Sequence, residues 1–331
     1  METKVIHGSW KDGLELGIEY DLIYLDPPFF TQKRHKMNKE GYDEDGNLII
    51  EDTHFDDIWK SEEEYMEWLC DVFVSCFNKL KRTGTIYSHN NFHINGMLYG
   101  KLPANVKKNF STNISWQRSG PHNNVKKGFG NIVDSIMVFN KSKDNYFEVQ
   151  YQPLNKKYEE NSFKKKDEVG NFALIGVSGE KSRVGHFYTY KGMCPKYGWR
   201  YKLEDIIAYD EKNELYIGKN KPYRKQYLDR CKGVPIQNIW TDIFYITRSA
   251  KNKREYPTQK PVKLIDRIIR CSCPKGGSVL DPFCGSGTTA LSALINDIPD
   301  LVVLTDRNPE AIEITNQQIQ QFHEGDRFGM E

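Results

Sequence analysis

A unit near the end of the sequence restricts the possible folds more than any other part of the chain. An apolar run at 278–281 is followed by the Gly-rich turn "PFCGSGTT", an apolar segment "ALSALIN" and a second apolar run that ends at Asp306. Glycines allow the backbone to turn sharply beside a ligand, and an acidic residue about 20 positions later binds ribose hydroxyls. Asp306 lies 19 positions after Gly287. The pattern predicts a strand, turn, helix and strand of an α/β fold that binds a nucleoside.

The position of this unit limits the class of protein. Gly285, Gly287 and Ala290 satisfy the dinucleotide-binding pattern G-x-G-x-x-A. Only about 50 residues follow the start of the unit, which are too few for the rest of a dinucleotide-binding domain. A P-loop is excluded, because no Gly-Lys-Ser/Thr follows the turn. The other strands must come from earlier in the chain, as they do in a circularly permuted sheet.

A second apolar run near the start of the chain ends abruptly. The stretch "DLIYLDPPFF" at 21–30 begins as a buried strand, and its Asp26-Pro27-Pro28-Phe29 cannot continue that strand. A carboxylate and an aromatic ring are therefore placed at the carboxyl end of the strand, which is where ligands bind in open α/β sheets. An edge strand closed by a proline turn is the alternative interpretation of these residues alone.

The net charge of +2 conceals a strong asymmetry along the 331 residues. Residues 1–100 carry a net charge of −9, residues 101–270 carry +17, and residues 271–331 carry −6. Blocks of one sign indicate a polyanionic partner for the middle of the chain, although Lys-rich loops are also often merely solvated. Tyr and Trp are interleaved with these charges, which suits base stacking and equally suits a small domain stabilised by aromatic packing.

The remaining composition is that of an ordinary globular protein. The sequence is 38% hydrophobic and 28% charged, and its seven cysteines form no pair of Cys-x-x-Cys motifs. Neither a zinc site nor a disulfide framework is supported, so we expect reduced, structural thiols. No apolar stretch is long enough for a membrane span, and the N-terminus lacks a secretory signal. These features predict a cytoplasmic protein with no membrane partner.

The periodicity of the chain predicts its organisation. An irregular inserted region at 141–255 separates two regular segments at 1–140 and 256–331. A polar stretch at 31–54 is predicted to be a long loop of the kind that forms a lid or a binding loop, or is disordered. The predicted elements are strands at 4–9, 21–25, 85–89, 113–117 and 135–140, a helix opened by a capping box at Ser61, and a helix opened by Pro261.

In this order, the motifs resemble those of the β-class amino-group DNA methyltransferases, the N6-adenine and N4-cytosine family. The resemblance rests on "DLIYLDPPF", "EYPTQKPVKLIDRII", "VLDPFCGSGTT" and "TDRNPE". It implies a Rossmann-like, circularly permuted methyltransferase sheet that uses S-adenosyl-L-methionine. The segment 1–140 is then the catalytic half, 141–255 the inserted target-recognition domain and 256–331 the cofactor-binding half. Double-stranded DNA is the implied substrate, in a prokaryotic cell or a phage, and a homodimer and a cognate restriction endonuclease remain open as partners.

The resemblance also implies a catalytic role for the first motif. Asp26 and the backbone carbonyl of Pro27 would accept the two N–H groups of an exocyclic amine, and this would direct its lone pair at the methyl donor. Pro27 and Pro28 fix the backbone and offer no N–H that competes for these acceptors. Phe29 would stack on a base flipped out of the duplex. No covalent nucleophile is needed for direct transfer.

A larger set of residues is implied to bind the cofactor. Asp281, Phe283, Gly285 and Gly287 would line its methionine end, Asp306 would bind the ribose, and Thr258, Gln259 and Lys260 would close over the carboxylate. Two departures from the family are Ser9, where relatives commonly carry Asp, and Arg307, where an apolar residue often covers the adenine. The full predicted set is His7, Gly8, Ser9, Asp26, Thr258, Gln259, Lys260, Asp281, Phe283, Cys284, Gly285, Ser286, Gly287, Thr288, Asp306 and Arg307.

Several functions remain open at this stage. Asp rather than Ser at position 26 favours N6-adenine, with N4-cytosine methylation as the alternative and RNA as a more distant substrate. A catalytically silent, methyltransferase-like DNA-binding subunit is a different class, but such a protein should have lost Asp26, the tandem prolines or the Gly-x-Gly turn. A nicotinamide-dependent oxidoreductase would leave "DPPFF" and the basic middle without a role.

Overall fold

The computed structural model describes residues 1–42, 48–121, 125–245 and 259–325. They belong to two compact units, Met1–Gln150 with Gln237–Glu331, and Tyr151–Ile236. The second unit is shorter at both ends than the predicted 141–255. Its flanking residues bond within the first unit instead, since the Tyr146 N–H donates to the Thr83 carbonyl and Trp240 pairs with Trp116 in the large sheet.

The elements of the described residues are as follows. The helices are α1 (Trp10–Glu15), α2 (Glu62–Asn78), α3 (Phe92–Lys101), α4 (Ala104–Lys107), α5 (Lys156–Ser162), α6 (Leu203–Glu211), α7 (Val262–Ser272), α8 (Thr288–Asn296) and α9 (Pro309–His323). The strands are β1 (Glu2–His7), β2 (Tyr20–Leu25), β3 (Lys33–Tyr42), β4 (Leu48–Asp57), β5 (Leu80–Asn90), β6 (Phe110–Gln117), β7 (Val133–Asn140), β8 (Tyr151–Gln152), β9 (Lys165–Lys166), β10 (Asn171–Gly176), β11 (Leu215–Ile217), β12 (Pro222–Tyr227), β13 (Val234–Pro235), β14 (Ile239–Trp240), β15 (Gly277–Asp281) and β16 (Pro299–Asp306).

A mixed sheet in the order β1-β16-β15-β2-β5-β7-β6-β14 organises the first unit. Neighbours from β1 to β5 pair in parallel, and β7 is antiparallel to both β5 and β6. The late strands β15 and β16 lie between β1 and β2, which come from the start of the chain. This interleaving confirms the predicted circularly permuted, Rossmann-like α/β fold.

Burial on both faces explains why the central strands are continuous apolar runs. Every residue of β2 and β15 is buried, as expected of parallel strands covered by helices on both sides. At the junction of the two chain halves, Asp21 accepts hydrogen bonds from Lys81 Nζ at 2.7 Å and from the Ser278 N–H at 2.8 Å. These contacts join β2 to β15 at the edge opposite the candidate site.

The helix predicted to begin at Ser61 is present, with a variation at its cap. The Ser61 hydroxyl accepts the Glu64 N–H at 3.1 Å, and the Glu64 carboxylate accepts the Lys60 N–H at 3.1 Å rather than that of Ser61. The buried face of α2 then packs on the sheet as part of the main core. This orientation directs Tyr65 and Trp68 towards the carboxyl edge of the sheet.

The long loop predicted at 31–54 is wrong as a secondary-structure assignment. Strands β3 and β4 form an antiparallel hairpin, with pairs running from Lys33 and Asp57 to Tyr42 and Leu48. The sequence lacks the alternation of apolar and polar residues that is typical of a half-buried hairpin. The two strands pair through backbone hydrogen bonds, and no side-chain pattern in the sequence predicts this pairing. Residues 43–47 of the predicted loop lie outside the described residues.

The second unit has its own small core. A four-stranded antiparallel sheet in the order β11-β12-β10-β9 is accompanied by a cluster of Val177, Trp199, Ile206 and Leu215. Trp199 is fully buried, and its ring stacks on Tyr188 at 5.5 Å with an angle of 4° between the planes. Aromatic packing therefore accounts for part of the Tyr and Trp content of this region.

Candidate active site

The carboxyl ends of β2, β15 and β16 open onto one cavity of about 510 Å³. From β15 the chain continues to β16 on one side of the sheet, and from β2 it continues, through the β3–β4 hairpin and α2, to β5 on the other side. The crevice between two such strands is where open α/β sheets bind ligands. The volume is in the range of small-molecule sites. Its lining residues are Trp10, Tyr24, Asp26, Pro27, Pro28, Phe29, Thr31, Asp57, Trp59, Trp68, Lys260, Ile265, Asp281, Pro282, Phe283, Cys284, Gly285, Ser286, Thr288, Thr289, Asp306, Arg307, Asn308 and Pro309.

Asp26 has two carboxylate oxygens in different environments. Oδ2 lies 2.5 Å from Lys260 Nζ in an ion pair whose side chains are 13% (Lys260) and 15% (Asp26) exposed. Oδ1 is buried and has no hydrogen-bond partner in the part of the chain that the structure describes. A buried acceptor without a partner is costly, so Oδ1 is the oxygen of Asp26 whose hydrogen-bonding capacity is unused.

The segment that follows Asp26 is fixed by contacts from the base of the β3–β4 hairpin and from α2. Tyr65 donates its hydroxyl to the Pro28 carbonyl at 2.5 Å. The Asp57 carboxylate accepts both the N–H and the hydroxyl of Thr31, at 2.6 and 2.8 Å. Phe30 and Gln32 have φ angles of 54° and 53°, a strained region for non-glycine residues that persists only under such constraints.

The Gly-rich turn places its backbone against Asp306. The Asp306 carboxylate accepts the Gly285 N–H and the Asn308 N–H, both at 2.9 Å. Burial raises the pKa of Asp306, while these backbone N–H groups oppose that shift. The φ angles of Gly285 and Gly287 are 50° and 78°, which explains glycine at both positions. The predicted strand, Gly-rich turn, helix and strand ending at Asp306 are all present.

Asp281, at the end of β15, is the most perturbed carboxyl of the cavity. Burial raises its pKa to about 7, although it accepts the Thr289 hydroxyl at 2.5 Å and the Phe283 N–H at 3.1 Å. The charges of Asp26 and Asp306 contribute further to the increase. Four aspartate carboxyl groups line the cavity, counting Asp57, and they favour a ligand that carries positive charge or several hydrogen-bond donors.

We expect the Asp281→Asn variant to reduce the pH dependence of stability. Because the pKa of Asp281 is about 7 in the folded protein and about 3.9 in an unfolded chain, the folded state binds more protons between these values. The contribution of Asp281 to the free energy of unfolding therefore falls as the pH rises from about 4 to about 7, and it is constant at higher pH. Urea denaturation of both proteins from about pH 4.5 to 8 measures the slopes, and equal slopes would contradict the assignment.

The cavity brings together most of the predicted site. From the predicted residues it is lined by Asp26, Pro27, Pro28, Phe29, Lys260, Asp281, Phe283, Cys284, Gly285, Ser286, Thr288, Asp306 and Arg307. Thr258 lies outside the described residues. The others of the predicted set, which are not in this lining, are His7, Gly8, Ser9, Gln259 and Gly287.

The two residues directly after β1 bind Asp306 and cap α1, and they do not line the cavity. The Gly8 N–H donates to the Asp306 carbonyl at 2.9 Å. Ser9 caps α1, because its hydroxyl accepts the Lys11 N–H at 3.2 Å and its own N–H donates to the Asp12 carboxylate at 2.5 Å. The strand predicted at 4–9 therefore ends at His7, and the cavity is lined by Trp10 rather than by Ser9.

Sequence reasoning missed an aromatic wall of the cavity. The Trp59 ring lies 4.8 Å from that of Trp68, which in turn lies 5.8 Å from Phe283 across the sheet junction. The motif "FDDIW" and the helical pattern of α2 contain these residues, but both patterns are also satisfied by ordinary core positions. The buried His89 was missed for the same reason, since "TIYSH" has the pattern of a plain strand.

The described residues contain neither a helix that is long and apolar enough to cross a membrane nor a cluster of three or more metal-ligating side chains. Carboxylates, aromatic rings and a Gly-rich turn line the cavity. Together with the permuted sheet, these features define an α/β domain with a candidate nucleoside site at its topological switch point.

Sequence comparison identifies the family. The chain matches the DNA methylase family (N6_N4_Mtase) over residues 20–317, and it belongs to that family. This confirms the resemblance that the four motifs indicated.

Individual relatives match most of this chain. It is 27% identical to the type II methyltransferase M.EcaI of Enterobacter cloacae, over 84% of this chain and 60% of M.EcaI. It is 26% identical to the Mod subunit of the type III restriction-modification enzyme StyLTI of Salmonella typhimurium, over 82% of this chain and 45% of that subunit. The chain therefore spans about half the length of these relatives. The PvuII DNA methyltransferase (cytosine-N4-specific) superposes with a TM-score of 0.49 at 15% identity, over 96% of this chain and 86% of that one.

Proposed function

We propose that the protein transfers a methyl group from S-adenosyl-L-methionine to the exocyclic N6 amine of a flipped adenine in double-stranded DNA. Membership of the DNA methylase family supports the reaction class. The observation that carries the proposal is the unpartnered Oδ1 of Asp26, a residue that lines the same cavity as the Gly-rich turn and Asp306. The hydrogen-bond acceptor for the amine and the site for the nucleoside are then in the same cavity.

The cavity residues fit the cofactor. The Asp306 carboxylate accepts two backbone N–H groups and retains lone pairs that can accept ribose hydroxyls. Asp281, whose pKa of about 7 reflects its burial, suits the ammonium group of the methionine portion. When bound, the cofactor supplies an electrophilic methyl group on a sulfonium.

Asp26 and Pro27 activate the acceptor in this proposal. The exocyclic amine of adenine is a poor nucleophile because its lone pair is delocalised into the ring. Asp26 Oδ1 and the Pro27 carbonyl accept its two N–H groups and direct the lone pair out of the ring plane. Transfer would form the bond from the nitrogen to the methyl carbon as the bond from that carbon to the sulfonium sulfur breaks, and the nitrogen would release one proton to solvent. Positioning and electrostatics supply the acceleration.

Lys260 has a second role in this proposal. Its Nζ is ion-paired with Asp26 and lies 5.2 Å above the Phe29 ring. This cation orients the Asp26 carboxylate through Oδ2 and leaves Oδ1 without a partner. An ammonium group has three donors, so Lys260 can bind Asp26 and the cofactor carboxylate together. Phe29 stacks on the flipped base.

The basic region supplies the contact with DNA. The unit Tyr151–Ile236 holds 18 Lys and Arg against 11 Asp and Glu, and we assign target recognition to it. Charge of this kind neutralises phosphates, and binding should weaken with added salt through counterion release. By analogy with the restriction-modification enzyme StyLTI, a cognate endonuclease is a proposed partner. The family resemblance leads us to propose a homodimer and a location in the cytoplasm as well.

Mass spectrometry of nucleosides tests the proposal. Unmethylated DNA of varied sequence is incubated with the protein and a methyl-labelled cofactor, then digested. We expect labelled N6-methyladenine, because Asp stands at position 26. Labelled N4-methylcytosine would keep the mechanism and overturn the base assignment. The absence of any methylated nucleoside would refute the activity and favour a silent DNA-binding subunit.

A further inference from the structure

The unpartnered oxygen of Asp26 faces a buried histidine. Asp26 Oδ1 lies 3.9 Å from Nδ1 of His89, beyond hydrogen-bond distance. The His89 side chain is fully buried on β5, next to β2 in the sheet. In a site where most buried polar atoms are paired, an acceptor left open beside a potential donor needs an explanation.

Both nitrogens of His89 are engaged by other residues. Nδ1 lies 2.7 Å from the Tyr24 hydroxyl, and Nε2 lies 3.3 Å from Asp134 Oδ2. Asp134 in turn accepts Arg118 Nε on its Oδ1 at 2.7 Å. The chain of contacts crosses β2, β5, β7 and the end of β6, which are adjacent in the sheet.

The protonation of the partners determines the tautomer of His89. Burial alone raises the pKa of Asp134, but its hydrogen bond with His89 and the nearby charges of Arg118 and Lys260 oppose burial, and the pKa stays below its usual value. Asp134 is thus a carboxylate that only accepts, and Nε2 must donate to it. Burial raises the pKa of Tyr24, so its hydroxyl keeps a proton that it can donate to Nδ1 of His89, 2.7 Å away.

This arrangement leaves no proton on the side of His89 that faces Asp26. A proton on Nδ1 would sit between Tyr24 and Asp26 and could be donated to Oδ1, the oxygen needed by the substrate amine. The ring also packs against Phe29, with centroids 5.7 Å apart, and against Trp116 at 5.6 Å. His89 is therefore in contact with both side chains assigned to the target base.

We propose that His89 is a positioning residue for methyl transfer, whose Asp134-fixed tautomer keeps Asp26 Oδ1 open and whose ring supports Phe29. This inference rests on the function proposed above. It assigns the Arg118–Asp134–His89 chain a role that the catalytic and cofactor motifs do not include. It also explains why a polar chain is buried where an apolar core would suffice for folding.

Kinetics of matched variants test the role. In single-turnover methylation, His89→Phe, which preserves ring packing, should slow transfer about 10- to 100-fold, the scale that small misplacements cause. Asp134→Asn should slow it similarly, because an amide can donate to Nε2 and move the ring proton to Nδ1. Cofactor affinity should stay within about twofold of the wild type. His93→Phe is the control, since His93 is exposed and pairs with Glu62 at the surface.

The double variant separates positioning from packing. With phenylalanine at position 89 there is no proton to relocate, so adding Asp134→Asn should cause little further loss of rate. The inference would be overturned if the rate losses of the two single variants multiplied in the double variant, or if His89→Phe methylated DNA at the wild-type rate. If the wild type methylates no DNA, the proposed function fails instead.

Nitrogen-15 NMR of labelled histidine tests the tautomer without any activity. We expect the Nε2–H tautomer of His89 in the wild type and the Nδ1–H tautomer in Asp134→Asn. An Nδ1–H tautomer in the wild type would refute the inference whatever the enzyme does.

Discussion

Replacement of Asp26 with alanine should lower the single-turnover rate of methyl transfer by about 10³-fold or more, with cofactor affinity largely retained. The free Oδ1 is the acceptor assigned to the target amine, and removal of one preorganised polar group from a water-poor site costs roughly 10²–10³ in rate. The substitution also leaves Lys260, whose side chain is 13% exposed, without its carboxylate. A loss of charge balance therefore adds to the loss of the acceptor.

Two further variants make the Asp26 result specific. Asp26→Asn keeps the volume and one acceptor but removes the charge that holds Lys260, so its rate should lie between those of the wild type and the alanine variant. Asp242→Ala is the matched control, because Asp242 is also ion-paired, with Arg267 at 2.5 Å, but lies outside the cavity lining. Labelled nucleosides quantified by mass spectrometry give the rates. Substantial turnover by Asp26→Ala would remove this carboxylate from the mechanism.

The ends of the central strands could be predicted because two signals coincide there, the end of a buried apolar run and a proline directly after it. Asp26 and Asp281 each terminate a run that is buried on both faces, and each is followed at once by proline. The carboxyl ends of parallel neighbours meet at one edge, so their proximity follows once the permuted strand order is assumed. Local signals were sufficient here because strand, stop and functional group are contiguous in the chain.

Residues held by long-range pairing could not be predicted in the same way. His89 becomes part of the site only because β5 lies beside β2, and Asp134 only because β7 is the next strand. The hairpin of β3 and β4 was missed because its sequence does not alternate apolar and polar residues. Lys260 was expected on the cofactor carboxylate, and its contact with Asp26 joins positions that are 234 residues apart.

Gly287→Ala should reduce cofactor affinity by at least tenfold and destabilise the fold, although Gly287 itself is not in the cavity lining. Its φ angle is 78°, which costs a non-glycine residue about 1–2 kcal/mol. An added Cβ would also lie 2.7 Å from Thr315 Oγ1 and 3.0 Å from Thr315 Cα on α9. A side chain can rotate away but the backbone cannot, so the turn itself must shift. That shift moves Gly285 away from the Asp306 carboxylate that it binds.

Gly17→Ala is the control that separates strain from contact. Gly17 has a nearly identical φ of 71°, and nothing lies within 4 Å of the position of its Cβ. It should lose only the stability attributable to the φ angle and keep its affinity for S-adenosyl-L-methionine, measured by calorimetry.

Removal of the Thr315 hydroxyl should not rescue Gly287→Ala, because the contact with Cα remains. Equal cofactor affinities for the two glycine variants would mean that the geometry of this turn does not determine cofactor binding. In that case the nucleoside site would have to depend on Asp306 and the aromatic wall instead.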